Sequence, residues 1–140
     1  MAKDTTKLLE ELKNCQDFRS FYYENAQYIP DRTLSECLEN LLHEHGIKKA
    51  DAIRKSQLSE IYGYQIFSGV RIPERKKLLS LALGMELNLE EIQNLLKCSG
   101  YAPLYAKNPF DCVLIYGVCK KMSVIDINEL LFDYGMETLG

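Results

Sequence analysis

The chain is 140 residues long, 46% hydrophobic and formally −3 at neutral pH, which fits one compact domain burying roughly two thirds of its unfolded surface. No apolar run reaches the roughly 18 residues of a membrane span, and the charged opening "MAKDTTKLLEELKNC" lacks the apolar stretch of a secretion signal, so a soluble cytoplasmic protein with no membrane partner is expected. The five cysteines (Cys15, Cys37, Cys98, Cys112, Cys119) are an odd number without an export signal, which favours reduced thiols over a disulfide framework.

The expected class is all-α. Pro30, Pro73, Pro103 and Pro109 fall where helices begin or end, and Gly46, Gly69, Gly100 and Gly135 each follow an apolar periodic segment, the place for a left-handed helix cap. Only "CVLIY" near Cys112 resembles a strand. Helices are expected over Thr5–Cys15, with Leu8, Leu9 and Leu12 at helical spacing, and over Asp17–Tyr28, with Phe18, Phe21 and Tyr22 so spaced and Asp17 as cap. Leu34–His45 follows, opened by Thr33 and Glu36 as a capping box and carrying Leu34, Cys37, Leu38, Leu41 and Leu42 on one face. Two short helices, about Lys48–Lys55 and Ser59–Phe67, come next with almost no linker.

The last 65 residues hold an internal repeat with a shift of 35 positions. "LNLEEIQNLLKCSGYAPL" from Leu87 aligns with "MSVIDINELLFDYGMETL" from Met122, matching Ile92 to Ile127, Leu95 and Leu96 to Leu130 and Leu131, and Gly100 to Gly135. Each copy opens with a cap, Asn88 with Glu91 and Ser123 with Asp126, and is preceded by a helix of similar length, near Glu74–Leu83 and Phe110–Lys120. A helical hairpin used twice is expected.

Catalytic signals are missing. His43 and His45 are two apart, whereas zinc-protease histidines are four apart on one helix face. Cys112 and Cys119, two helical turns apart, are expected as small apolar packing on one buried face. With no phosphate-cradling glycine loop and no nucleophile elbow, the chain is read as a non-enzyme without a cofactor.

Charge is segregated. Between Ile47 and Lys77 eight cations (Lys48, Lys49, Arg54, Lys55, Arg71, Arg75, Lys76, Lys77) stand against three anions, leaving the rest of the chain at −8. Inside that basic stretch lies "LSEIYGYQIFSG", whose outward stripe on a helix bears no charge. From about Leu34 to Leu96 the succession of helices resembles the lambda-repressor-like, or xenobiotic-response-element, helix-turn-helix family. The most specific part of the likeness is "QIFSGVRIPERKKLLSLALGM", in which Ile66, Gly69, Arg71 and Pro73 fill the places of the apolar residue, glycine, basic loop and proline that close a recognition helix.

The resemblance implies a five-helix DNA-binding unit over residues 31–100, with an N-terminal helical extension (1–30) and a C-terminal helical hairpin (101–140), all in one domain. It further implies that Leu58, Tyr62, Gly63 and Ile66 pin the recognition helix, while Ser59, Ile61, Tyr64, Gln65 and Ser68 face a major groove about 12 Å wide. Gln65 is then the base reader, with Ile61 suited to a thymine methyl, and Lys49, Arg71 and Lys76 are phosphate clamps. The chain departs from the family pattern at Lys49, where glutamine is common, and at Gln57, where the turn glycine is usual. It departs again where Ala52 and Ile53 exchange the usual order of large and small residues, and at Gly63, which replaces a branched residue. A sequence-specific transcriptional regulator binding double-stranded DNA is the leading expectation, with a second copy of the chain as further partner. The alternative is a helical adaptor that docks a protein on the same face, since Tyr and Ile are also at home in protein interfaces. The duplicated hairpin or the N-terminal aromatics Phe21, Tyr22, Tyr23 and Tyr28 are the candidate sites of self-contact, though most of these residues are expected to be core.

Overall fold

A computed structural model of the protein describes residues 4–25, 28 and 33–140. It is helical, with no strand among the described residues, and "CVLIY" lies inside a helix. The helices are α1 (Thr5–Asn14), α2 (Phe18–Asn25), α3 (Leu34–His45), α4 (Lys49–Ser56), α5 (Glu60–Ser68), α6 (Arg75–Gly84), α7 (Leu89–Cys98), α8 (Pro109–Cys119) and α9 (Val124–Asp133). The chain forms two compact units, Met1–Arg32 and Thr33–Gly140. Pro30, and with it the boundary expected at 30/31, lies outside the described residues, as does the expected continuation of α2 through Ala26 and Gln27.

In the first unit Asp4 caps α1 by accepting from the Lys7 amide at 2.8 Å. Asp17 caps α2, accepting from the Ser20 hydroxyl at 2.7 Å and from the amides of Arg19 and Ser20. These bonds satisfy first-turn N–H groups that have no partner within the helix. The aromatic segment is not mostly core. Phe21 is buried, but Tyr22 and Tyr23 are exposed, because a two-helix unit has too little interior to enclose a row of large rings.

The second unit is built around α6. A helix covered on several sides must be apolar all round rather than amphipathic, and Leu78, Leu79, Ser80, Leu81, Ala82 and Gly84 of α6 are all buried, with α4, α7 and α9 packed against it. Helix α5 rests on α3 and α4. Short connections are made by left-handed residues: Gln57 closes α4 at φ 65°, and Gly69 closes α5 at φ 84°. Only glycine takes that conformation without penalty; a side chain there costs about 1–2 kcal/mol, which Gln57 partly offsets by donating its amide to the Arg54 carbonyl at 3.2 Å.

The repeat extends to hydrogen bonds. Glu86 and Lys121, 35 positions apart, both take left-handed φ (59° and 56°) in the turns of their hairpins. Asn88 and Ser123 cap the helices that follow, accepting from the Glu91 and Asp126 amides at 2.9 and 3.1 Å. Gln93 clasps the segment after α7, its amide donating to the Leu104 carbonyl at 2.9 Å and accepting from the Leu104 N–H at 2.7 Å. At the equivalent place Asn128 accepts from the Leu139 N–H at 2.8 Å. The hairpins pair reciprocally, α6 with α9 and α7 with α8. An open stack would join only the adjacent helices α7 and α8, so this is a closed pair.

Cys112 and Cys119 are exposed, contrary to the expected burial. Their seven-residue spacing does place them on one face of α8, but the core-facing side is the one that carries Asp111, Leu114 and Gly117. Spacing fixes a common face and is silent on which face is covered.

A candidate nucleic-acid interface on α5

Helix α5 is capped by Ser59, whose hydroxyl accepts from the Tyr62 amide at 3.2 Å, and is pinned by one side. Gly63, Ile66 and Phe67 are buried and Leu58 and Tyr62 partly so. Gly63 is required by its neighbour: a Cβ there would lie 2.6 Å from Ile53 Cγ2, well inside contact distance. The larger residue on α4 and the missing side chain on α5 therefore compensate each other, and Ile53 and Gly63 form one packing solution. The Phe67 carbonyl accepts a bond from the Ser35 hydroxyl of α3, which ties down the far end of the helix.

The opposite side is open. Ser59, Ile61, Tyr64 and Ser68 are exposed, Ile61 by 75%, and Gln65 is half-buried. Beyond Gly69, Val70 and Ile72 are 76% and 83% exposed. The sequence reading singled out only Arg71 from this loop. Two apolar residues between a glycine and a proline were the available signal, since a loop so bounded has no interior to hide them in. Glu60, in the first turn of α5, is exposed as well.

Arg71 lies beside the candidate base reader. Its Nε donates to Gln65 Oε1 at 2.9 Å, and its guanidinium sits 5.2 Å from the centre of the Tyr62 ring. Burial pushes the Tyr62 phenol above its ordinary pKa, against the opposing pull of Arg71. Lys49, at the start of α4, is ion-paired with Glu39 of α3, and its ammonium stands 5.3 Å from the Phe67 ring centre. Lys76 is engaged with the C-terminal hairpin, 2.6 Å from Glu137 and 5.4 Å from the Phe110 ring centre. It holds the Glu137 carboxyl below its ordinary pKa.

Among the described residues, five of the eight cations in the basic stretch are ion-paired with the protein's own carboxylates: Lys49, Arg54, Lys55, Arg75 and Lys76. Most of these pairs are solvated and worth 0 to about 1 kcal/mol each, so a phosphate can replace the carboxylate at little cost. Arg75 is different. It forks onto Asp111, which is 5% exposed, with both bonds at 3.0 Å, and also donates to the carbonyls of Ala102 and Pro103. It joins the two hairpins and is committed to the fold.

His45 and Glu91 bond at 2.6 Å, linking the end of α3 to the start of α7. Among the described residues no three His, Cys, Asp or Glu side chains gather where a metal ion could sit. No helix among them is long and apolar enough to cross a membrane. No family model matches the chain, and no curated protein or solved structure does.

Proposed function

We propose that the chain is a sequence-specific DNA-binding transcriptional regulator of the lambda-repressor-like type, with α3 to α7 as its five-helix unit and α5 as the recognition helix. The observation that carries this reading is the two-sidedness of α5: a short helix fixed by Gly63, Ile66 and Phe67 that presents Ser59, Ile61, Tyr64, Gln65 and Ser68 to solvent. Such a ridge matches the width and chemistry of a major groove. Gln65 Oε1 keeps one lone pair beside its bond to Arg71, and its amide hydrogens remain available, so the side chain still offers a donor and an acceptor to an adenine edge. Arg71 then both aims Gln65 and meets the backbone, while Lys49 exchanges Glu39 for a phosphate. Lys76 is the weakest member of the set, because it is held by Glu137 and Phe110.

A second reading is favoured by a specific observation. Ile61 and Tyr64 on α5 and Val70 and Ile72 in the loop after it are all exposed, and Glu60 opens the same helix with a negative charge. Those features suit a protein partner better than a duplex. Selection from random duplexes separates the two. For a DNA reader one sequence is enriched, Lys49→Ala weakens binding to all sequences, and Gln65→Ala weakens mainly the selected one. For an adaptor nothing is enriched, and Ile72→Ser abolishes capture of the partner.

A further inference from the structure

The turns of the two hairpins share a cavity of about 640 Å³ in the second unit. Equivalent positions of the repeat, 35 apart, line it in pairs: Leu83 and Val118, Leu87 and Met122, Glu86 and Lys121. Val124 and Ile125 extend the apolar wall from the start of α9, and Arg54 and Lys55 in the last turn of α4 supply another side. Small-molecule sites occupy roughly 300–1,000 Å³ and are mostly apolar with a few placed polar groups. Much of the apolar wall is open to solvent: Leu83, Val118 and Met122 are half-buried and Ile125 is 53% exposed.

The charges around this cavity do not balance. Among the described residues Glu86 is the single carboxylate on its wall, and Lys55 pairs with it at 3.0 Å. Arg54 reaches Asp51 at 3.4 Å, a long and solvated contact. Lys121 takes the place that Glu86 holds in the first copy and, among the described residues, has no ion-pair partner. Three cations against one carboxylate leave an excess of two positive charges. Ser123 lines the cavity as well; its oxygen accepts from the Asp126 amide, and its O–H remains free to donate.

We propose that the cavity binds a small amphipathic anion, an apolar body lying against the two turns with a single acidic group paired to Lys121. The unpaired ammonium and the net positive charge select an anion over a neutral or cationic ligand. The apolar wall selects an organic body over a bare inorganic ion. Arg54 supplements Lys121 at little cost, since an exposed ion pair such as that with Asp51 is weak. Lys55 serves the fold side of the site by neutralising Glu86, the one group that would repel the ligand. No residue of α5 takes part, so the site stands or falls apart from the DNA reading.

The test titrates the full chain, under native conditions, with anilinonaphthalene sulfonate, a fluorescent probe that joins an apolar ring system to one sulfonate. Saturable one-to-one binding is expected, displaced by decanoate and far less by decanol, which has the same chain length without the charge. Lys121→Glu places at this left-handed turn the residue that the first copy carries there, so helicity and melting should be unchanged. It should nevertheless raise the dissociation constant about tenfold or more. Lys97→Glu, the same charge change at an exposed position of α7 away from the cavity, should leave binding as in the parent. Ile125→Ser should weaken it several-fold. Fluorescence that never saturates overturns the proposal, as does equal displacement by decanol and decanoate. So does an equal response to Lys121→Glu and Lys97→Glu, which would place the probe elsewhere on the protein.

Discussion

Gly63 and Ile53 illustrate what single residues decide here. A glycine inside a helix costs up to about 1 kcal/mol against alanine, and a buried branched side chain on the facing helix needs room. Together they fill one space, with the Ile53 methyl groups occupying the volume a Cβ at Gly63 would need. Gly63→Ala should therefore destabilise the protein by about 1–3 kcal/mol through overpacking. In an Ile53→Ala background the same change should be neutral or stabilising, because only the gain in helix propensity remains. Equal effects in both backgrounds, read from denaturant midpoints, would show that the two positions do not share the space. The compensation was legible in the sequence as a pair of departures; that they meet was not, since the crossing of α4 and α5 is a tertiary fact.

Glu91 is a second residue whose role shows only in three dimensions. Burial alone would raise its carboxyl, but the Asn88 backbone N–H and the His45 ring outweigh that and hold its pKa below the ordinary value. The folded state then binds that proton less tightly than the unfolded chain. The stability this contributes is complete above the unfolded carboxylate range and is lost as pH falls through the lowered folded value. Glu91→Gln keeps an acceptor for the Asn88 N–H but cannot titrate, so its stability should fall less steeply on acidification than that of the parent. Parallel acid limbs in urea denaturation would contradict this assignment. The capping pair Asn88 and Glu91 was evident from spacing; the His45 bond, spanning 46 positions, was not.

At the scale of elements, the hairpin repeat was readable because its helices share apolar positions and caps at a constant shift. Its clasp was not, because Gln93 and Asn128 differ in length and nothing in a one-dimensional pattern tells a clasping amide from a solvated one. Gln93 makes two bonds to the Leu104 backbone where Asn128 makes one to that of Leu139. At about 0.5–1.5 kcal/mol per bond, Gln93→Ala should cost about 1–3 kcal/mol and Asn128→Ala about half as much. A larger loss at Asn128 would reverse the ranking. Cys112 and Cys119 are exposed against expectation for a related reason: periodicity groups residues by face, and only the packing of neighbouring helices selects the face that is hidden.

At the scale of the whole molecule, the segregation of charge along the chain is only partly a segregation in space. The cations of residues 47–77 look unopposed in sequence because Glu39, Glu86, Asp111 and Glu137, which pair with four of them, lie outside that stretch. What survives folding as a candidate interface is narrower than the charge count suggested: the α5 ridge, Arg71 at its end, and Lys49 beside it. The short linker between α4 and α5 and the closing Gly69, Arg71 and Pro73 were the parts of the site open to sequence reasoning. Exposed Val70 and Ile72 were the parts it passed over.

The most direct measurement is the affinity of the purified full chain for its selected duplex across a salt series. With Lys49 and Arg71 as the main phosphate contacts, the logarithm of the binding constant should fall linearly with the logarithm of salt with a slope of about −2, and Arg71→Ala should reduce that slope by about one. Binding that is absent, or that holds constant across the series, would contradict the assignment of α5 to the DNA groove.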